Sequence, residues 1–294
     1  MSEENEIKIS GFTFIKNGII LGYPFIQSIK SVLPIVDEFV INIGDSEDQT
    51  AEAIKSINSQ KIKIIYSSWN EAMRDKGYVY GQQKMISQFN CSGDWVFYVE
   101  GDEVYHEKDL EEIKSQILSN HKNEAIEALA VKFFHFYGNC STYMDSPGWY
   151  RSEVRIIRNS IRTYSPDGLF WVVMDKNKIG RYPFAKKINA HCYHYGWVRS
   201  ESQMNLKSKK VSKYWNKNNI KSIDYSQMDK KILRLFAGTH PGIMSEWLDN
   251  STSIFQVDPD YIPTFKQKKH RLMNFFERLL GMELSKKHYK LVKE

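Results

Sequence analysis

The run Glu100-Gly101-Asp102-Glu103 places three carboxylates directly after an apolar stretch, Asp94 to Val99. Carboxylates at the end of a buried strand are costly unless cations or water meet them. Hard oxygen donors of this kind suit a divalent ion, whose other positions are taken by phosphate and water. An ion held by Asp102 and its neighbours would neutralise a diphosphate leaving group, which is Lewis-acid catalysis. The bland alternative is a solvated acidic turn at the start of the next helix. A second cluster is His191, Cys192, His194 and Tyr195. No further pair completes four zinc ligands. One histidine joining an oxygen-ligated metal is the better reading, against a pair of packed, hydrogen-bonded imidazoles. Cys91, Cys140 and Cys192 are far apart and form no Cys-x-x-Cys pair. They predict neither a disulfide framework nor a zinc knuckle, and a reducing compartment is expected.

The elements that must position these groups alternate. Strands are predicted at Ile7 to Ile15, Glu38 to Ile43, Lys61 to Tyr66 and Asp94 to Val99. Helices are predicted at Gly18 to Leu33 (with Gly22 and Pro24 obscuring its start), Asp48 to Ser59, Gly77 to Gln88 and Leu110 to Ser119. Such alternation predicts an α/β protein with a mainly parallel sheet flanked by helices. Ligands of these sheets bind outside the carboxyl ends of the strands. Lys16-Asn17, Gly44-Asp45-Ser46 and the acidic turn all follow strands, so the topology brings them to one edge. The second half reads differently. Ala125 to Tyr137 and Glu153 to Ile157 look like strands, aromatic residues are frequent up to Trp197, and the chain then turns helical and basic.

Charge excludes one function class. The chain has 294 residues and a net charge of +6, and residues 264–294 alone hold nine Lys and Arg against three acids. The preceding residues carry equal numbers of bases and acids. A neutral body is no polyanion binder by bulk charge, so no nucleic-acid partner is expected. The acidic start, Met1 to Glu6, is no signal peptide, and no apolar run approaches the ~20 residues of a spanning helix. The expected location is cytoplasmic. Phe265 to Val292 carries Leu272, Phe275, Phe276, Leu279, Leu280 and Leu284 at helical spacing among basic residues. This amphipathic segment either lies peripherally on an anionic membrane or packs on the domain with a solvated Lys-rich face.

Five ordered segments together resemble the family 2 glycosyltransferases, which have the GT-A (nucleotide-diphospho-sugar transferase, Rossmann-like) fold. They are Thr13-Phe14-Ile15-Lys16-Asn17; Val36 to Val40 with Gly44 to Thr50; Gly93 to Tyr98 running into Glu100-Gly101-Asp102-Glu103; Glu153 to Asn159; and His194-Tyr195-Gly196-Trp197. The resemblance covers residues 7–220. It implies a catalytic domain over 1–220, with a donor half over 1–105 and an acceptor half over 106–220, followed by a helical extension over 221–294. It implies a nucleotide-diphospho-sugar donor near Thr13, Asn17 and Asp45. Asp102 would hold Mn²⁺ or Mg²⁺ with His194 and Glu100, and Lys84 or Arg155 would assist the phosphates or serve structure. Glu100 stands where the family's metal motif starts with Asp, and Ile43 where many members have a base-contacting Asp, for which Asp45 is the substitute. Asp167 is the candidate base, although it also reads as an ordinary turn residue; Glu153 and Asp145 are alternatives. The implied reaction is inverting transfer to the hydroxyl of a glycan or lipid-linked glycan, in surface-glycan or lipopolysaccharide-type biosynthesis. A non-catalytic sugar-nucleotide-binding protein and a nucleotidyltransferase on a related fold remain as alternatives. The latter normally has a Gly-rich phosphate loop after its first strand, where this chain has one glycine, Gly18.

Overall fold

The computed structural model describes residues 6–216, 221–249 and 255–292. The acidic start at 1–5 and the last two residues of the basic tail lie outside them. In chain order the first half comprises β1 (Ile9–Ile15), α1 (Phe25–Val32), β2 (Glu38–Gly44), α2 (Thr50–Lys55), β3 (Ile62–Ser67), α3 (Tyr78–Phe89), β4 (Trp95–Tyr98), β5 (Glu103–Tyr105) and α4 (Leu110–Asn120). The second half continues with β6 (Ala128–Tyr137), β7 (Asn139–Met144), β8 (Ser152–Arg158), β9 (Thr163–Tyr164), β10 (Val172–Met174), β11 (Gly180–Arg181), β12 (Phe184–Trp197) and α5 (Glu201–Ser212). It closes with β13 (Leu233–Leu235), α6 (Ser245–Asp249), α7 (Phe265–Leu280) and β14 (Lys290–Leu291).

The expected α/β sheet is present. β3, β2, β1 and β4 pair in parallel, and β4 then passes the sheet to antiparallel β8 and β6. β12 runs parallel to β6 on its other edge and also carries β5 and β14. Among the described residues this makes one sheet of eleven strands, with β9 to β11 as a separate three-stranded ribbon. Side-chain alternation explains the burial of both faces. Ile9 and Ile15 of β1, with Phe39, Ile41 and Ile43 of β2, join α1 and α4 in one core. Phe12 and Val40, of opposite parity, pack on the other face with Tyr98 and Trp171.

Several predicted bounds move by a few residues. The first helix begins only at Phe25, because Gly22 adopts positive φ and Pro24 precedes the helix. The predicted terminal amphipathic segment is a helix only to Leu280. It opens with a Thr264–Gln267 capping box and ends at Gly281. The chain then returns to the sheet as β14, with Tyr289 Oη against Ser152 Oγ at 2.8 Å. No helix among the described residues is long and apolar enough to cross a membrane.

Candidate active site

Three strand ends meet at one edge of the sheet. The loop after β2 is fastened to the loop after β1 by side chains at alternate positions. Ser46 Oγ accepts from Asn17 N at 3.0 Å, Thr50 Oγ1 from Gly18 N at 2.8 Å and Asp48 Oδ2 from Ile20 N at 2.8 Å. In return Asn17 Oδ1 accepts from Glu47 N at 2.7 Å, with Asn17 itself at φ 56°, a conformation asparagine tolerates. The third strand end is the acidic turn after β4, closed by Glu103 N donating to Glu100 O at 3.0 Å.

Pairing of β5 with β12 sets Glu103 opposite His194, and pairing of β12 with β6 sets His194 opposite His135. His194 Nε2 therefore lies 3.7 Å from Asp102 Oδ1. Behind it the imidazoles form a relay. His135 Nε2 lies 2.8 Å from the Tyr150 carbonyl, which can only accept, so this nitrogen carries a proton. Burial lowers the pKa of both histidines, which favours their neutral forms. His135 Nδ1 is then bare and accepts from His194 Nδ1 at 3.0 Å. His194 Nε2 is left with a lone pair turned toward a carboxylate.

Lys207 of α5 completes this cluster, with Nζ 3.0 Å from Asp102 Oδ2. Burial pushes the Asp102 carboxyl upward, but the Lys207 ammonium and the Arg199 guanidinium counter it and hold the group well below the ordinary range. Burial likewise draws Lys207 down to about 8, with Asp102 opposing. Glu100 is differently placed. Its Oε1 meets Arg155 Nη2 at 3.1 Å, and burial beside Glu103 raises its pKa to about 8.

These groups line a cleft of two adjoining lobes that share Lys16, Trp69 and Tyr80. One lobe, of about 330 Å³, is lined by Tyr23, Glu100, Asp102, Asp167, His194 and Lys207. The other, of about 480 Å³, is lined by Asn17, Asp45, Ser46, Glu71, Lys213 and Tyr214. Trp69 stands between them with its indole N–H buried and unpartnered. It fits because residue 44 is glycine: a Cβ there would stand 2.3 Å from Trp69 Nε1. The turn bearing Asp167 is held against α3 in the same way, since a Cβ on Gly81 would stand 2.2 Å from the Ser165 carbonyl.

Of the residues singled out in the sequence, Asn17, Asp45, Glu100, Asp102, Asp167 and His194 line the cleft. Thr13, Lys84 and Arg155, expected at the donor, do not. Thr13 shares parity with Ile9 and Ile15 and is buried in the sheet. Lys84 is fully buried over the rings of Trp171 and Tyr98, with Nζ 3.4 and 4.1 Å from their centroids. Arg155 is fully buried and forks onto Glu103, at 2.6 Å from Nη2 and 2.9 Å from Nε. It braces the acidic turn from behind. The alternative bases are also engaged elsewhere. Glu153 is buried against His288 Nδ1 at 2.5 Å, and Asp145 binds Arg151, Arg234 and Arg278. Glu100 is engaged by Arg155 through Oε1. Among the described residues no three His, Cys, Asp or Glu side chains converge as a ready metal site. Nothing in the local sequence sets Lys207, Trp69, Glu71 or His135 apart.

No protein-family model matches the chain. It is similar to curated proteins named uncharacterized glycosyltransferases. One from Rickettsia prowazekii is 27% identical over 67% of this chain and 63% of its own length. One from Rickettsia bellii is 26% identical over 68% of this chain and 64% of its own length. The chain thus spans less than two thirds of these relatives. Among solved structures, S. aureus TarS in complex with UDP aligns at 14% identity and a TM-score of 0.42, covering 70% of this chain and 66% of that one. Glucosyl-3-phosphoglycerate synthase from Mycobacterium tuberculosis aligns at 18% identity and a TM-score of 0.32, covering 44% of each. At these scores the solved structures give only a distant likeness.

Proposed function

We propose that the chain is a glycosyltransferase that moves a sugar from a nucleotide-diphospho-sugar to an acceptor hydroxyl with inversion. The observation that carries this reading is the Asp102–His194–Lys207 cluster at the strand-end edge of an α/β sheet, beside an aromatic-walled cleft. The curated relatives named glycosyltransferases support it. Asp102 and the bare Nε2 of His194 fit a divalent cation, because two electron-pair donors face one another there. Glu100 does not join them. A cation at that point would supply Lewis-acid neutralisation of the diphosphate.

The chain's own groups have separate roles. Trp69, Asp45 and Asn17 line the lobe that receives the nucleoside. Asp167 accepts the proton of the acceptor hydroxyl as its oxygen bonds to the anomeric carbon. The bond from that carbon to the diphosphate oxygen breaks in line, and its electron pair leaves with the diphosphate. Arg155 and Glu103 keep the turn carrying Asp102 in place.

Donor hydrolysis and transfer across UDP-, GDP- and dTDP-sugars, with Mn²⁺ and with chelator, test the reading. Asp102→Asn should lower turnover by about two to three orders of magnitude, the cost of a lost electrostatic contact at developing charge. Wild-type turnover in that variant, or release of pyrophosphate in place of nucleoside diphosphate, would sink it. Donor binding without turnover would favour a non-catalytic binding protein.

A further inference from the structure

Helix α7 is inside out. A surface helix normally turns its apolar side to the core. Here the side facing the body is polar. Glu277 accepts from Arg151 Nη2 at 2.6 Å, Asn274 donates to the Asp145 carbonyl, and Arg271 grips Asp229. Arg278 Nη2 reaches Asp145 Oδ2 at 2.8 Å and His270 meets Ser146 at 2.9 Å. Asn274 and Glu277 are the buried residues of the helix. The apolar side is turned out: Leu272, Phe275 and Leu279 are 56%, 58% and 65% exposed. Phe276 and Leu280 extend that side, and none of the five joins a core cluster. Exposed Met282 and Leu284 follow the helix end. Contiguous apolar surface of this kind on a soluble body marks an interaction site.

We propose that α7 is a docking surface for an anionic lipid bilayer, with its apolar side seated at the boundary between headgroups and acyl chains. Charge selects this occupant. Lys266, Lys268 and Lys269 lie in the first turns, and the 100° spacing puts Lys268 and Lys269 on the same outward side as Phe265 and Leu272. The acid of the helix, Glu277, is turned inward to Arg151. The outward side thus offers hydrophobes and cations without an anion, the pattern of interfacial helices on anionic lipid. A second copy of the chain would bring its lysines to a helix with no outward acid to meet them. The ion pairs with Asp145, Arg151 and Asp229 hold the helix with this side out. Its inner side also reaches the 145–151 loop, whose Tyr150 carbonyl anchors the His135–His194 relay. A seated helix would therefore hold this flank of the cleft close to the lipid surface.

Flotation of the full chain on vesicles, without donor or acceptor, tests this apart from catalysis. The chain should float with vesicles of phosphatidylcholine containing phosphatidylglycerol, and weakly with phosphatidylcholine alone. Phe276→Glu with Leu279→Glu should cut the bound fraction at least about tenfold without lowering the melting temperature. Lys268→Glu with Lys269→Glu should remove the preference for the anionic vesicles. Equal flotation of the Phe276/Leu279 variant, or no flotation of the wild type, would overturn the proposal. So would a dimer in light scattering that the same variant dissociates, since that outcome assigns the apolar side to self-association.

Discussion

Asp102 Oδ2 cannot serve Lys207 and a divalent cation at the same time. The ammonium lies 3.0 Å from that oxygen and 3.3 Å from the Gly196 carbonyl, so it takes the place of a cation against the buried carboxylate. A charge-assisted bond of this kind stabilises by about 1.5–3 kcal/mol. A metal held at Oδ1 and His194 Nε2 would share this carboxylate with the ammonium, whose charge opposes it. Lys207→Met, which keeps a long stem and removes the charge, should therefore raise the apparent affinity for Mn²⁺ about tenfold in a titration of donor hydrolysis. An unchanged Mn²⁺ dependence would place Lys207 outside the metal's position. The contrast with Lys84 shows what a sequence can convey at this scale. Asp102, Asp167 and His194 stand out because acids and imidazoles are unusual beside strand ends and aromatic runs. Lys207 is one of several lysines in a polar helix, and nothing local distinguishes it. For Lys84 and Arg155 the resemblance leaves phosphate contact and a structural role both open; the two are enclosed by aromatic rings and carboxylates contributed by distant segments.

At the scale of elements, α5 and the turn Lys213–Trp215 behave as a strap across the cleft. Glu71, in the loop after β3, fastens it by accepting from Lys213 Nζ at 2.6 Å and Tyr214 Oη at 2.8 Å, while Lys16 Nζ reaches it at 2.7 Å. Burial pushes the Glu71 carboxyl up, but these partners together bring it down to about 2. Its stabilising contribution is then complete above the ordinary carboxyl range and is lost as pH falls through about 2. Glu71→Gln should raise the donor KM about threefold to tenfold with kcat little changed, the modest worth of a half-exposed network. The difference from wild type should stay constant between about pH 5 and 9, because Glu71 remains ionised throughout. A difference that grew across that range would implicate another group. The apolar runs and helical spacings of the first half revealed its strands and helices, since β1 and β2 are buried on both faces and rich in Ile, Phe and Val. β12 was hidden because the consecutive Lys186 and Lys187 break its apolar alternation, and its pairing with β5 and β6 depends on segments more than 50 residues away. The spacing in α7 revealed an amphipathic helix, but periodicity cannot tell which side meets the body.

Across the whole molecule, a single sheet joins the parallel first half to the antiparallel second half, and Arg155 lies at the junction. It stands on β8 between β4 and β6, forks onto Glu103, reaches Glu100 and donates to the Leu169 carbonyl at 3.3 Å. The turn with Asp102 and the loop with Asp167 thus depend on one fully buried guanidinium. Removing one partner of a buried pair leaves an uncompensated charge and costs about 3–5 kcal/mol, whereas replacing both with apolar residues is often close to neutral. Arg155→Leu should accordingly lower the denaturant midpoint of the whole chain by an amount equivalent to about 3–5 kcal/mol. Because the sheet is continuous, the loss should appear in one transition. Arg155→Leu combined with Glu103→Leu should recover most of it, with Glu100 left to hydrate at the cleft wall. The double variant should still lose turnover, since the acidic turn would no longer be held from behind. Recovery of stability without recovery of turnover would separate bracing of the site from support of the fold; a single variant as stable as wild type would remove the role in the fold, and one with wild-type turnover the role in the site.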